Sequence, residues 1–481
     1  MLYKYKVLSV VLLSCIALQA EYVEFGRHDG SDYAYWQPGS SDGKILPSSE
    51  QKKSIKDNYY QERQQSVGYR DITSEKMNFE TLRKHFPVFE QTVNGYPFIF
   101  LDSGSTAQMP QSVLDAIIAY YKDYKSNAGR GVYSFAERVT TIVEDTRAKV
   151  ASFIGAQKQE IVFVPGTTAG INLVARAWAQ QHINAGDEII ISEIEHNANL
   201  LPWQQLAKQN GCVLKIVPVT DRGVVDPQIL QEYLTEKTKL VALVHQSNAL
   251  GTTNDIAAIA ELAHQVGAKV LVDAAQSIVH QHINVQELGC DFLAFGAHKV
   301  YGPTGIGALF IKQELFDQIT IQHFGGGMVI EVGEQDAEFK DMPHCLEAGT
   351  QALAQIIGFN ATIDFVQQHI NFKQAQEHET KLVKKFAAAL QQLPDVKIVS
   401  VVPEEGEHNN MVTFISDNCH AYDIASYLNE FGVAVRAGYH CVHLYHEKIG
   451  GRASVRVTFS IYNTEQEVDF VVEKLKSLLL K

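Results

Sequence analysis

The segment FGAHKVYGPTGIG, residues Phe295–Gly307, links two short apolar strands predicted at Asp291–Phe295 and Ala308–Lys312. It places Lys299 beside His298, directly after the first strand and before three closely spaced glycines. Glycines at this density indicate backbone that turns tightly or approaches another group closely. A solvated surface lysine is the more frequent alternative for any single lysine. The segment therefore predicts an α/β turn in which Lys299 lies at the carboxyl end of a strand.

The chain on both sides of this segment alternates short apolar strands with helices. The helices include Pro110–Lys125, Gly170–Gln181 and Asp255–Val266. The alternation predicts an α/β fold with a mostly parallel sheet that helices cover on both faces. Functional residues should then gather at the carboxyl ends of the strands. The remaining predicted strands are Phe98–Leu101, Glu160–Val164, Glu188–Ser192, Leu214–Val217, Leu240–His245 and Lys269–Asp273.

Changes in composition predict four regions along the 481 residues. Residues 1–20 resemble a signal peptide, and residues 21–78 form a polar extension without sustained apolar periodicity. Residues 79–362 form the large domain, and residues 363–481 form a smaller C-terminal α+β domain. The predicted elements of this second domain are Ile370–Leu393, Lys397–Val402, Asn410–Ile415, Ala421–Phe431, Ser454–Phe459 and Thr464–Leu480.

The first 20 residues have the layout of a secretory signal. Lys4 and Lys6 precede an apolar run from Val7 to Leu18, which is short for a bilayer span. Cys15, after Leu-Ser, also resembles a lipid-attachment site. An apolar N-terminal helix or a misassigned start codon is the alternative to a signal peptide. The layout predicts export to the periplasm or medium, or lipid anchoring, with any membrane association confined to the N-terminus.

The charge and the cysteine pattern exclude some classes of function. A net charge of −14 argues against a nucleic-acid binder, which needs a basic surface. The six cysteines show neither CxxC pairs nor regular spacing, so the sequence predicts no metal site and no dense disulfide framework.

Three more segments carry chemistry that fits Lys299. Asp273 ends a buried strand and Gln276 follows three residues later, although an aspartate there is also a common helix cap. Thr167 and Thr168 follow Gly166 before a helix, and such a turn can cradle a phosphate. His196 follows another strand and could stack on a ring. Pyridoxal phosphate (PLP) would unite these features, because its pyridine nitrogen needs a carboxylate to stay protonated.

From about Phe79 to the C-terminus the chain resembles the class V aminotransferases, which are fold-type I PLP enzymes. Within them it is most similar to Suf-type cysteine desulfurases and selenocysteine lyases. The matching stretches include Glu195-His-Asn-Ala-Asn, Asp273-Ala-Ala-Gln, His298-Lys and Tyr301-Gly-Pro-Thr-Gly. Further matches are Leu101-Asp-Ser, Gly166-Thr-Thr, Glu347-Ala-Gly-Thr, Arg436-Ala-Gly-Tyr-His-Cys and Arg456.

The resemblance implies a role for each site residue. Lys299, His196 and Cys441 are the implied catalytic residues, with Lys299 as the Schiff-base lysine and Cys441 as the sulfur acceptor. The implied cofactor-binding residues are Lys299, Asp273, Gln276, His196, Thr167, Thr168, His298 and Thr350, the last acting in the partner subunit's site. Asn248, Arg456 and Arg436 are the implied substrate-binding residues.

The implied activity is conversion of L-cysteine to L-alanine with a persulfide on Cys441, and selenocysteine is a second candidate substrate. The resemblance also implies a homodimer, a sulfur-acceptor protein and a cytoplasmic location, whereas the N-terminus predicts export. The chain departs from the family pattern at Gly129, Ala169 and Gly296, where His, Glu and Ser are usual. Two alternatives therefore stay open: another class V reaction (C–S lyase, epimerase or aminotransferase) and a non-catalytic exported protein.

Overall fold

A computed structural model describes residues 76–480 of this chain. The predicted signal peptide and nearly all of the polar extension lie outside these residues. In chain order the strands are β1 Thr92–Val93, β2 Tyr96–Pro97, β3 Ile99–Phe100, β4 Ile161–Val164, β5 Glu188–Ser192, β6 Val213–Val217, β7 Thr238–Val244, β8 Lys269–Asp273, β9 Phe292–Gly296, β10 Gly307–Ile311, β11 Val329–Val332, β12 Ala337–Phe339, β13 Val396–Ile398, β14 Met411–Ser416, β15 Val433–Ala434, β16 Arg436–Gly438 and β17 Ser454–Thr458.

The helices lie between and around these strands. They are α1 Phe79–Arg83, α2 Gln111–Asp123, α3 Ser134–Phe153, α4 Thr167–Val174, α5 Gln180–His182, α6 Leu201–Asn210, α7 Pro227–Tyr233, α8 Ile256–Gln265, α9 Ser277–His280, α10 Val285–Leu288, α11 Leu353–His369, α12 Phe372–Leu390, α13 Ala421–Asn429, α14 His443–Lys448 and α15 Glu465–Leu479. A π-helical turn, Ala175–Ala179, joins α4 to α5. None of these helices is both long enough and apolar enough to cross a bilayer.

Seven strands form the central sheet in the order β4-β10-β9-β8-β7-β5-β6. Only β10 runs antiparallel to its neighbours, so the sheet is mostly parallel as predicted. Alternate residues of β8 enter different hydrophobic clusters: Val270 and Val272 pack in one, and Leu271 packs in the other. Both faces of the sheet are therefore buried, which explains why its strands are continuous apolar runs.

A second, four-stranded sheet with the order β13-β14-β17-β16 forms the C-terminal lobe. Its own core contains Phe386, Phe414 and Phe459. Strand β3, near the start of the described chain, pairs in parallel with β15 and brings Ile99 into this core. The predicted boundary at residues 362 and 363 falls inside helix α11. The division into domains at that point stays a prediction.

The predicted start of one helix was wrong by three residues. Helix α4 begins at Thr167 rather than Gly170, with Gly166 as its N-cap. The prediction placed the threonines in a turn because Thr and Gly are weak helix formers. They are instead the first helical residues, so their backbone N–H groups belong to the positively polarised end of the helix.

Candidate active site

A cavity of about 800 Å³ opens at the carboxyl ends of β4, β5, β7, β8 and β9. Eleven of the residues predicted from the sequence line it: Thr167, Thr168, His196, Asn248, Asp273, Gln276, His298, Lys299, Arg436, Cys441 and Arg456. The twelfth, Thr350, does not line it. The structure thus brings together side chains that are spread along the sequence from Thr167 to Arg456.

Lys299 ends a short 3₁₀ turn after β9, and its Nζ donates a hydrogen bond to the Gly104 carbonyl at 3.1 Å. Burial, reinforced by the positive charge of Arg456, lowers the pKa of its amine to about 8. Asp273 and Asp102 oppose this shift only in part. An amine with a lowered pKa is more often unprotonated near neutral pH, as a lysine nucleophile requires.

Asp273 is the last residue of β8 and is almost fully buried. It accepts a hydrogen bond from the Ala275 N–H at 2.9 Å, and burial raises the pKa of its carboxyl group. Gln276 is also buried and donates to the Gly104 carbonyl at 2.7 Å, so Gly104 contacts both Gln276 and Lys299. These contacts hold the predicted carboxylate and amide beside the lysine.

The N-terminus of α4 forms one end of the cavity. Its N-cap is Gly166, which has no capping side chain, so Thr167 and Thr168 present unpaired helix N–H groups and hydroxyls. A Cβ built on Gly166 or Gly305 would meet no atom within 4 Å, so both positions leave open space at the cavity wall. This arrangement suits an anionic group.

Gly296, one of the departures from the family pattern, lies at the same end of the cavity. A Cβ here would sit 3.2 Å from the His298 ring and 3.6 Å from the Thr167 hydroxyl. A serine would therefore place its hydroxyl among these groups, and this chain lacks that donor. His298 is neutral near pH 7, because burial and the nearby Lys299 lower its pKa to about 4.

His196 begins a short 3₁₀ turn, and its Nδ1 accepts a hydrogen bond from the Ala198 N–H at 3.0 Å. Its other ring nitrogen can then carry the proton. Burial, followed by Lys299, lowers its pKa to about 4, so the ring is neutral. The preceding Glu195 accepts hydrogen bonds from Ser192 at 2.5 Å and the Val244 N–H at 3.0 Å, which fixes the loop on the sheet.

Asp102 is part of the site, although the sequence analysis assigned it no role. Its carboxylate bridges two arginines, with Arg436 at 2.6 Å and Arg456 at 3.1 Å. Arg456 also donates to the Asn248 carbonyl at 2.8 Å. Asp102 follows β3, so its position depends on the pairing of β3 with β15. The only signal in the sequence was its place in the Leu101-Asp-Ser match.

Cys441 is exposed at the cavity rim, on a loop with unusual backbone geometry. His440 and Cys441 have φ of 49° and 58°, in the left-handed region that non-glycine residues adopt uncommonly. Asn248 donates to the His440 carbonyl at 2.7 Å, and the Asn197 N–H donates to the Cys441 carbonyl at 2.8 Å. Two hydrogen bonds from the large domain therefore hold this loop.

The charge around Cys441 comes from Lys299, Arg436 and Arg456, which all interact with it electrostatically. His440 contributes no charge, because burial and Arg456 lower its pKa to about 2. Its Nε2 instead lies 2.9 Å from the Ser454 hydroxyl. Positive surroundings and partial exposure are what a reactive thiolate needs.

Thr350 lies outside the cavity on the same chain, where its hydroxyl accepts a 3.4 Å hydrogen bond from Asn127. A role in a partner's site stays a prediction.

The polar groups that line the cavity fit PLP. Among residues 76–480, four of the nine buried side-chain atoms without a hydrogen-bond partner belong to lining residues: Gln246 Oε1, Asn248 Oδ1, His440 Nδ1 and Arg456 Nε. A helix N-terminus suits the phosphate, and Asp273 suits the ring nitrogen. Buried unpaired groups are costly, so their concentration here indicates a site for a polar ligand.

The fold and the cavity define fold-type I of the PLP-dependent enzymes. The aminotransferase class-V model matches residues 99–471, and the chain belongs to this family. A cysteine desulfurase of Haloferax volcanii is 38% identical over 413 residues, covering 83% of this chain and 96% of the relative.

Solved structures agree with this assignment. The apo structure of a cysteine desulfurase from Thermococcus onnurineus has a TM-score of 0.79 and 34% identity, covering 85% of this chain and 99% of that one. A cysteine desulfurase from Escherichia coli, solved in its S-sulfonic acid form, has a TM-score of 0.78 and 33% identity, covering 84% and 99%. The predicted family and fold class are confirmed.

The lowered pKa of Lys299 has a consequence for the cofactor-free protein. An unfolded lysine titrates near 10.4, so between about pH 8 and about pH 10 the unfolded chain binds more protons and stability rises with pH. Lys299→Met should raise the free energy of unfolding by up to about 3 kcal/mol near neutral pH, and this gain should vanish by about pH 10.5. Denaturant titrations over that pH range measure the gain in the free energy of unfolding. A gain that is independent of pH would contradict the lowered pKa of Lys299.

Proposed function

We propose that this chain is a PLP-dependent cysteine desulfurase that converts L-cysteine to L-alanine and collects the sulfur on Cys441. The observation that carries the proposal is the convergence of Lys299, Arg456 and an exposed Cys441 on one cavity. Relatives named as cysteine desulfurases support the substrate. PLP, when bound, supplies an electron sink that stabilises negative charge at the substrate's α-carbon.

Arg456 binds the substrate carboxylate, and the side-chain oxygen of Asn248 accepts a hydrogen bond from a donor group of the bound ligand. The Nε of Arg456 and the Oδ1 of Asn248 lack partners, and the Arg456 side chain is only 3% exposed. The Asn248 carbonyl and Asp102 each accept a hydrogen bond from one Nη of Arg456 and hold the guanidinium in place, which leaves the unpaired Nε and a second Nη hydrogen for a two-pronged contact with the incoming carboxylate. A pre-positioned arginine loses little rotamer freedom when the substrate binds.

Lys299 moves the protons. Its unprotonated amine removes the proton from the α-carbon, and its ammonium form can return one to carbon. The pKa of about 8 suits both directions near neutral pH, because a general acid–base group works best with a pKa near the working pH.

Cys441 takes the sulfur. Its thiolate attacks the sulfur of the bound cysteine, so an S–S bond forms while the substrate's C–S bond breaks. The electron pair of the C–S bond stays with carbon, which is then protonated, and alanine leaves. Cys441 is left as a persulfide at the exposed rim, where a sulfur-acceptor protein can reach it.

Loss of the arginine fork should weaken substrate binding. Arg456→Lys keeps the charge but removes the two-pronged geometry, and a charged hydrogen bond contributes about 1.5–3 kcal/mol. We expect kcat/KM for cysteine to fall roughly 10- to 150-fold, mainly through KM. Steady-state kinetics measure this, with Arg452→Lys at the exposed pair with Asp417 as the control. Equal losses in both variants would argue against the role of Arg456.

An amino-acid panel tests the proposed activity. The PLP-loaded protein is incubated separately with cysteine, selenocysteine, cystine and other amino acids, and alanine, pyruvate and sulfide are quantified. Stoichiometric alanine and protein persulfide from cysteine support the proposal. Pyruvate as the main product would indicate a C–S lyase, and no product from any amino acid would favour the non-catalytic alternative.

A homodimer is part of the proposal. Exposed apolar side chains cluster in residues 118–135, including Ile118, Tyr133 and Val132, which is 93% exposed. Asn127 of this segment contacts Thr350, the residue implied in the partner's site. A second copy covering this surface would bury the apolar side chains and complete both sites.

Sedimentation should therefore give about twice the chain mass of 53.5 kDa at micromolar concentration. Tyr133→Asp should shift the protein towards monomer, because it places a charge in an apolar interface. Tyr422→Asp, at another exposed tyrosine, is the matched control. A monomeric parent protein would refute this arrangement.

The location of the protein is proposed from residues 1–20, which predict export, against the cytoplasmic location implied by the family. The intact mass of the native protein distinguishes the two, since cleavage of a signal peptide shortens the chain and lipidation of Cys15 adds mass.

A further inference from the structure

A cluster of three metal-ligand side chains lies apart from the cavity, within the described residues 76–480. One donor atom each from His280, Glu379 and His408 lies within 4.8 Å of the other two. The Oε2 atom of Glu379 is 3.0 Å from His280 Nδ1 and 3.1 Å from His408 Nε2. The sequence could not indicate this cluster, because its members are 99 and 29 positions apart and follow no ligand motif.

The chemistry of the cluster matches one class of cation. Two imidazole nitrogens and one carboxylate form the three-protein-ligand set of zinc sites that keep a fourth position for water. The Glu379 side chain is 1% exposed. The two imidazole nitrogens both face its Oε2 atom, so the candidate ligand atoms of all three side chains converge on one point.

The surroundings provide an outer contact and an access route. The second ring nitrogen of His280 lies 2.9 Å from the Asn410 side-chain amide nitrogen, which can donate a hydrogen bond to it and so fixes the orientation of the ring. His408 borders a separate cavity of about 530 Å³. Polar side chains such as Thr252, Gln281 and Gln376 also line this cavity, which can hold water for a fourth ligand position.

We propose that His280, Glu379 and His408 bind a Zn²⁺ ion, with water from the adjoining cavity as the fourth ligand. The ion would link His280, at the end of α9 and four residues after Gln276, to α12 and to the loop before β14. It would thus fasten the C-terminal lobe to the segment that carries Gln276. The alternative is a metal-free cluster in which both imidazoles donate hydrogen bonds to Glu379.

Metal titration distinguishes the two arrangements. The full-length PLP-loaded protein, stripped with chelator, is titrated with Zn²⁺ in competition with a chromophoric chelator. The Cys441→Ala background removes the exposed thiol as a competing ligand. We expect one tight site per chain. His408→Gln, at the rim of the cluster, should weaken it by more than the roughly 10- to 100-fold that loss of an outer contact costs.

The matched control is His264→Gln. His264 also pairs with a buried carboxylate, Asp291 at 2.8 Å, but within residues 76–480 no third histidine, cysteine or carboxylate ligand is grouped with them. This variant should bind Zn²⁺ as the parent does. Co²⁺ loading should give visible d–d bands of a nitrogen–oxygen site without a thiolate charge-transfer band. No tight site in the parent, or equal affinity in His408→Gln and the parent, would overturn the proposal whether or not the enzyme is a desulfurase.

Discussion

Lys299→Ala is expected to abolish turnover of cysteine and the covalent attachment of PLP. Lys299 is the lysine that lines the cavity beside Asp273, and its amine has the lowered pKa that both roles need. Loss of a general acid–base group alone costs roughly 10²- to 10⁴-fold in rate, and loss of the covalent attachment adds to this. Alanine production from cysteine measures the first effect.

Borohydride reduction followed by peptide mass analysis measures the covalent attachment of PLP. The parent protein should carry a pyridoxyl group on Lys299, and the variant should carry none. Lys312→Ala, in the exposed pair with Glu314, is the control and should behave as the parent. A pyridoxyl group fixed to any other lysine of the parent would refute the assignment of Lys299 and, with it, the proposed chemistry.

Cys441→Ala is expected to stop sulfur release from cysteine while PLP binding stays intact. The thiol is exposed at the cavity rim, so its removal should not disturb the fold. Removal of a nucleophile ranks among the largest single losses in enzymes, and we expect a decrease of roughly 10³-fold or more. Persulfide on Cys441, detected by mass after reaction with an alkylating reagent, should disappear.

Cys419→Ala is the control for Cys441→Ala, because Cys419 is partly exposed on the C-terminal lobe and does not line the cavity. Substantial sulfide release by the Cys441 variant would mean that sulfur leaves without a protein persulfide. In that case the PLP site would stand and the reaction would be a C–S lyase reaction, so the two parts of the proposal fail separately.

Much of the large domain was predictable because its strands obey a local rule. Lys269–Asp273 and Glu188–Ser192 were predicted to the residue, since runs of Val, Leu and Ile bounded by polar residues have the length of buried strands. The C-terminal helix was predicted within one residue at each end, because Thr464 and Glu467 form a capping box. The strand predicted at Lys397–Val402 was too long, because pairing with β14 ends at Ile398.

The sequence by itself determined the class of chemistry. The lysine after β9, the aspartate ending β8 and the threonines that begin α4 are short-range patterns, and the resemblance to class V aminotransferases implied a role for each of them. Their arrangement at one edge of the sheet followed from the parallel strand pattern.

Only the tertiary structure decided how distant groups meet. Asp102 bridges Arg436 and Arg456 across 334 and 354 positions, and His280 meets Glu379 across 99. These contacts depend on strand order and on the packing of the two lobes, which local periodicity does not encode. Burial then sets the charge: it lowers the pKa of Lys299, although a surface lysine is cationic, and it keeps His440 neutral at pH values where a surface histidine is partly protonated.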